Sequence, residues 1–320
     1  MRTDLNVVRW SDFASREEAR AWWLDFRRDC IGGSEISCIQ GSNPWKSSFG
    51  LYLNKKRLDE DREPTLQMEL GLITEEGLAK YFAKLNNVEV ITDVLCCSRE
   101  SGGIKLLCTP DALTTNFGLE IKHVSFGFDE SWTEKSCPEH YYLQCQWYMH
   151  VSGYKAWTLF AASSSETRQY DFVYDEALCN ELEQKAREWW QKYIIGDEMP
   201  EPSAIDNDRM AKVYQQETDE VKLADDYVAE QITRLIEVKA QVKALSEIQD
   251  TLEASLKQRI ADGAGLTDGK HTVTWKQATC TRVVNWQNVA LELGATEEVI
   301  EHNASIKPGS RRLLIKKEKW

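Results

Sequence analysis

Apolar residues recur at helical spacing near the start of the chain, where Ala19, Trp22, Trp23 and Phe26 share one face of segment 16–28. Ser15 and Glu18 ahead of them form a capping box, so a helix is expected there. Ile31-Gly32-Gly33-Ser34 follows as a turn that brings backbone amides near an anion, with a second helix starting at Ser34. Pro44 and Trp45 interrupt before a third helix over 48–57. In a fourth, over 74–85, Glu75, Leu78, Ala79 and Phe82 face the core, while Glu76 and Lys80 face water.

The period then shortens. Segments 88–92, 104–108, 111–114, 119–124 and 156–161 read as strands of one sheet, flanked by helices at 139–151 and 175–195. Pro200 and Pro202 mark a boundary. Beyond it Val221, Ala224, Val228, Gln231, Leu235, Val238, Val242, Leu245, Gln249 and Leu252 alternate spacings of three and four, a heptad seam for a long helix over 217–261. That helix pairs either within the chain or with a second copy. Strands at 271–276 and 282–286 and a basic end at 311–319 complete a small last unit. The expected organisation is α/β: a first domain over 1–205, the long helix over 206–262 and a small α+β unit over 263–320.

At 320 residues the chain can bury a large core without disulfide or metal staples. No apolar run approaches the roughly 18 residues of a membrane span, and residues 1–10 lack a signal-peptide core, so a cytoplasmic protein is expected. The net charge of −13 argues against bulk coating of nucleic acid. Segment 26–58 runs the other way, with Arg27, Arg28, Lys46, Lys55, Lys56 and Arg57 against Asp29 and Glu35. The nine cysteines include no C-x-x-C pair and read as reduced, mostly buried thiols. The five histidines form no nuclease motif and read as structural.

The stretch that carries chemistry is Asp111 followed nine residues later by Glu120-Ile121-Lys122. In a strand Glu120 and Lys122 share a face and Ile121 turns to the core. Asp111 and Glu120 offer hard oxygen ligands to Mg²⁺, the Ile121 carbonyl another, and Lys122 can orient an attacking water. Glu75 can add a carboxylate from a facing helix, and Gln144 can hold the lysine or the nucleophile. Alone, an E-x-K strand is usually a surface pair; the order helix Glu, strand Asp, strand E-x-K, helix Gln reverses that reading.

That order resembles the PD-(D/E)XK nucleases, specifically the lambda exonuclease branch with the YqaJ-like viral recombinases. The matching residues span about 10–195: Trp23, Arg27 and Ile31 to Glu35; Asn43 to Lys46; Gly71 to Glu75; Thr109 to Ala112; Leu119 to Lys122; and Tyr141 to Met149. The resemblance implies a restriction-endonuclease-like core, a central mixed sheet flanked by helices, in a phage or prophage protein of a bacterial host. It implies metal ligation by Asp111, Glu120 and the Ile121 carbonyl, with Glu75 as third acid, Lys122 as catalytic lysine and Gln144 as an added polar residue. Arg27 and Ser34 would contact the phosphate at a DNA 5′ end, extended by Lys46. The implied activity is Mg²⁺-dependent, with Mn²⁺ as a substitute: digestion of linear double-stranded DNA from 5′ ends, leaving 3′ single strands for recombination. The implied partners are further copies in a homo-oligomer, a ring in several members, and a single-strand annealing or single-strand-binding protein. Ala112 stands where the branch usually has Gly, and Glu76 where a Pro is frequent, which leaves open whether Glu75 or Glu76 serves. Two other readings compete: an endonuclease on the same core, and a recombination scaffold whose long helix recruits a partner.

Overall fold

Strand pairing among the described residues is mixed: the parallel pairs are joined through helices and most of the antiparallel pairs by short turns. The computed structural model describes residues 2–58, 65–125, 127–214, 221–278 and 284–304. The chain divides into two units, Met1–Gln215 and Gln216–Trp320.

The first unit contains β1 (Asn6–Arg9), α1 (Arg16–Phe26), β2 (Ile31–Gly32), α2 (Gly33–Gln40), α3 (Ser48–Lys55), α4 (Leu66–Asn86), β3 (Val94–Ser101), β4 (Ile104–Cys108), β5 (Ala112–Leu113) and β6 (Gly118–Val124). It continues with α5 (Glu139–Ser152), β7 (Ala156–Ser163), β8 (Thr167–Val173), α6 (Glu176–Trp189) and α7 (Asn207–Val213). The strands form two four-stranded sheets, ordered β1-β3-β4-β2 and β5-β6-β7-β8. β2 runs parallel to β4 and β6 parallel to β7, while the other pairs are antiparallel. The fold is therefore mixed α/β, with the expected strands divided between two sheets.

α5 is the crossover between β6 and β7 and is buried from Leu143 to Ser152, with Trp147 and Tyr148 inaccessible. α2 packs against it. Gly33 permits that approach, since a Cβ there would meet the Tyr148 ring at 2.4 Å. On the other face of β6, Ala79 and Phe82 of α4 pack on Leu119, Ile121 and Phe160. Leu119 and Ile121 thus face α4 and their alternates face away from it, as the period of two requires.

Several elements differ from expectation for local reasons. α4 starts eight residues early because the Thr65 hydroxyl accepts the Met68 N–H and caps it there. Segment 88–92 makes only a bridge between Ile91 and Leu113. β3 was not anticipated, because Val94 to Arg99 are all buried and show no alternation. After α6, residues Trp190–Ile195 wind as a π-helical turn. The eight described cysteines are free and mostly buried.

In the second unit α8 (Asp226–Ile260) starts at an Asp225 cap and is followed by the hairpin β9 (Gly265–Thr267) and β10 (Thr272–Thr274), then α9 (Trp286–Glu292) and α10 (Glu297–His302). Val242, Leu245 and Leu252 of the heptad seam are more than 60% exposed. Residues 282–283 of the expected strand over 282–286 lie outside the described residues, and Trp286 opens a helix instead. The basic end 311–319 also lies outside them. Among the described residues no helix is long and apolar enough to cross a membrane.

Candidate functional site

Thr109-Pro110-Asp111 links β4 to β5 and so carries the chain from one sheet to the other. A cavity of about 290 Å³ opens beside this link, and Glu75, Asp111, Glu120, Lys122, Gln144, Arg27 and Ser34 all line it. Lys46 does not; its charge faces Glu35 and Arg27 instead.

Glu120 is 1% exposed. Its Oε1 accepts from Lys122 Nζ and from Gln144 Nε2, the latter at 2.7 Å. Gln144 Nε2 also donates to the Tyr148 hydroxyl at 3.0 Å, which shares a 2.8 Å hydrogen bond with Thr109 Oγ1. This chain of contacts ties α5 to both β6 and the inter-sheet link. Asp111 Oδ2 accepts the Ile121 N–H at 2.6 Å. Because N–H and C=O of one strand residue point to the same side, the Ile121 carbonyl also points toward Asp111.

The three acids crowd one another. Burial, then the charges of Glu120 and Glu75, push Asp111 well above the ordinary aspartate value. Burial and then Glu120 raise Glu75 to about 7. Burial also raises Glu120, opposed by Lys122 and Gln144. Burial disfavours the Lys122 ammonium, but Glu120, Asp111 and Tyr141 outweigh it and hold the lysine charged. Glu76 behaves otherwise: it is exposed, pairs with Lys80 at 2.7 Å and Arg16 at 3.7 Å, and titrates below the usual glutamate value. Glu75 is the member of the pair that feels the Glu120 charge and whose own charge acts on Asp111.

These residues suit a hard cation. Glu120 Oε2 is buried with no hydrogen-bond partner among the described residues, a costly state for an isolated carboxylate oxygen. A divalent ion would satisfy that oxygen and relieve the mutual repulsion. Among the described residues no three His, Cys, Asp or Glu side chains are grouped closely enough to hold a metal ion by themselves.

The same cavity also has a cationic and aromatic lining. Arg16, Arg20, Trp23 and Arg27 follow one another at spacings of four, three and four, so one face of α1 and the turn after it presents them to the cavity. Arg16 and Arg20 lie off the apolar face by which the sequence marks this helix. The i, i+4, i+7, i+11 repeat was the available signal. Arg27 is fixed from two sides: its guanidinium lies 4.6 Å from the Trp23 ring centroid, and Nη2 donates to Glu35 Oε1 at 3.3 Å.

Glu35, also missed as a site residue, is 2% exposed. Its Oε2 accepts from Lys55 Nζ at 2.6 Å and from the Gly32 N–H at 2.9 Å. One amide of the Gly-Gly turn is thereby committed to Glu35 rather than to a ligand. Burial disfavours the Glu35 charge, but Lys55, Arg27 and Lys46 bring its value down to about 2. Lys55 is itself drawn down by burial, since the cations share this one anion and repel each other. Three other cations of the basic segment 26–58 are paired with acids of the fold. Lys55 is buried in this pair, Lys56 binds Asp197 at 2.5 Å, and Arg57 binds Asp25 at 2.9 Å and Asp29 at 3.2 Å.

Residues 22–155 match the family model of the YqaJ-like viral recombinase domain. Over 279 residues the chain is 25% identical to the uncharacterized protein YqaJ of Bacillus subtilis (strain 168), covering 83% of this chain and 86% of that one. Among solved structures it is similar to the alkaline exonuclease LHK-Exo of Laribacter hongkongensis, at 16% identity and a TM-score of 0.44 over 61% of this chain and 100% of that one. It is also similar to a phage related exonuclease of Haemophilus somnus 129PT, at 11% identity and a TM-score of 0.42 over 55% of this chain and 100% of that one.

Proposed function

We propose that this chain, whose residues 22–155 match the family model of the YqaJ-like viral recombinase domain, is a Mg²⁺-dependent deoxyribonuclease of the PD-(D/E)XK type. It digests linear duplex DNA from 5′ ends and leaves 3′ single strands for phage-type recombination. The observation that carries this reading is the convergence of Glu75, Asp111, Glu120, Lys122 and Gln144 on one cavity that Arg16, Arg20 and Arg27 also line.

Bound by Asp111, Glu120, Glu75 and the Ile121 carbonyl, Mg²⁺ would supply Lewis-acid polarisation of a phosphodiester and a more acidic water. Lys122, held charged, orients the attacking water and balances developing negative charge. Gln144 fixes the Glu120 carboxylate in one rotamer from the buried α5. Arg27, preset by Trp23 and Glu35, grips a terminal phosphate together with the exposed Ser34. Arg16 and Arg20 hold the incoming strand by its backbone, and the Lys46 charge reinforces this cationic lining. The exposed heptad positions of α8 support self-association; the recombination partner is a single-strand annealing or single-strand-binding protein.

The 5′-end assignment is tested with duplexes bearing 5′-phosphate or 5′-hydroxyl termini. The unaltered protein should prefer the phosphate, and Arg27→Ala should slow that substrate about 10- to 100-fold, the worth of charged hydrogen bonds, erasing the preference. Equal initial rates on both termini with the unaltered protein would remove the role given to Arg27 and Ser34.

A further inference from the structure

A second cavity, of about 220 Å³, adjoins the first at Lys122. Ser34, Lys122 and Gln144 line both cavities, so the two share one wall. The rest of its lining is chemically different. Ser37 and Asn43 supply hydroxyl and amide groups, and Trp45, His140 and Tyr141 supply aromatic rings.

Trp45 is 64% exposed, yet it is held in place. Asn43 Oδ1 accepts the N–H of Trp45 at 2.9 Å and of Lys46 at 2.8 Å, while Asn43 Nδ2 donates to Ser37 Oγ at 2.9 Å. The Trp45 ring meets His140 edge-on at 4.8 Å and Tyr141 at 6.3 Å, and His140 lies 4.0 Å from Tyr141. His140 Nε2 is buried and lacks a hydrogen-bond partner among the described residues. A fixed, exposed indole and an unpartnered ring nitrogen flank one space with an amide and hydroxyl lining, next to the phosphate wall.

We infer that this second cavity holds the nucleobase of the 5′-terminal nucleotide while its phosphate lies in the first cavity. The inference rests on the nuclease reading above. A base is flat, offers a π face to Trp45 and edge atoms to His140 and the Ser37 hydroxyl, and is joined to its phosphate through a sugar that would pass the shared wall. Aromatic stacking is tolerant of base identity, so the site grips any terminal base.

The test is calorimetric titration of the full chain with dAMP and with 2-deoxyribose 5-phosphate, which carries the phosphate but no base. The unaltered protein should bind dAMP about tenfold or more tightly than the sugar phosphate. Trp45→Ala should weaken dAMP to near the sugar phosphate and leave the latter unchanged, and Trp45→Phe should restore most of the difference. Equal affinities in the unaltered protein, or a full dAMP preference in Trp45→Ala, would overturn the base site. Digestion of linear duplex is measured on the same preparation. A protein that digests DNA but binds both ligands equally loses only the base site, whereas one that prefers dAMP but cuts no DNA loses only the nuclease reading.

Discussion

Glutamine in place of Glu120 is expected to lower the initial rate of duplex digestion in Mg²⁺ by at least about 10³-fold, with the circular-dichroism spectrum unchanged. The amide keeps an acceptor for Lys122 and Gln144, so the buried contacts survive. What is lost is one anionic oxygen donor, and metal-borne stabilisation of several kcal/mol corresponds to roughly three powers of ten. Lys122→Ala should act in the same direction by about 10²- to 10³-fold, since it removes a preorganised charge. Glu75→Gln should join this group. Glu76→Gln should stay within about fivefold of the unaltered rate, because its carboxylate is exposed and spent on a surface pair. Release of acid-soluble nucleotide from linear duplex measures all four, and undiminished digestion by Glu120→Gln would refute the site.

Alanine at Glu35 is expected to have the largest effect on stability, a loss of about 3–5 kcal/mol in denaturant titration. The Lys55 side chain is fully inaccessible, and its ammonium would be left in the core facing only the Arg27 carbonyl. Arg27 would lose its carboxylate anchor too. Replacing Glu35 and Lys55 together with methionine should recover the larger part, because no buried charge then remains. The pH dependence has a definite sign. Glu35 titrates near 2 when folded against an ordinary value of 4.5, so its stabilisation is complete above about pH 4.5 and fades as pH falls toward 2. A cost below about 1 kcal/mol for the single alanine variant would show that the pair is not the strut its burial indicates.

What could be read from the sequence was set by the range of the interactions. The E-x-K register of Glu120 and Lys122 depends on a strand period of two, which is local, and the structure places both side chains as that period requires. Gly33 was legible as special, although its reason, the Tyr148 ring of α5, lies far along the chain. Distant partners hid the rest. β3 buries Arg99 against Glu183, which the structure brings to 3.1 Å, and this long-range pair masked the strand. Lys55, Lys56 and Arg57 read as surface cations because their counter-ions Glu35, Asp197, Asp25 and Asp29 meet them only in the fold. The cationic wall lies instead on α1, where an apolar face drew the eye from Arg16 and Arg20.

End-directed, metal-dependent hydrolysis is proposed at Glu75, Asp111 and Glu120. Its most direct test is a time course on end-labelled linear duplex and on covalently closed circles, run in Mg²⁺ and in excess chelator. The expected result is progressive loss of the 5′-terminated strand of linear duplex in Mg²⁺, with circles intact and no digestion in chelator. Circles cut as fast as linear duplex, or linear duplex digested in chelator, would contradict it.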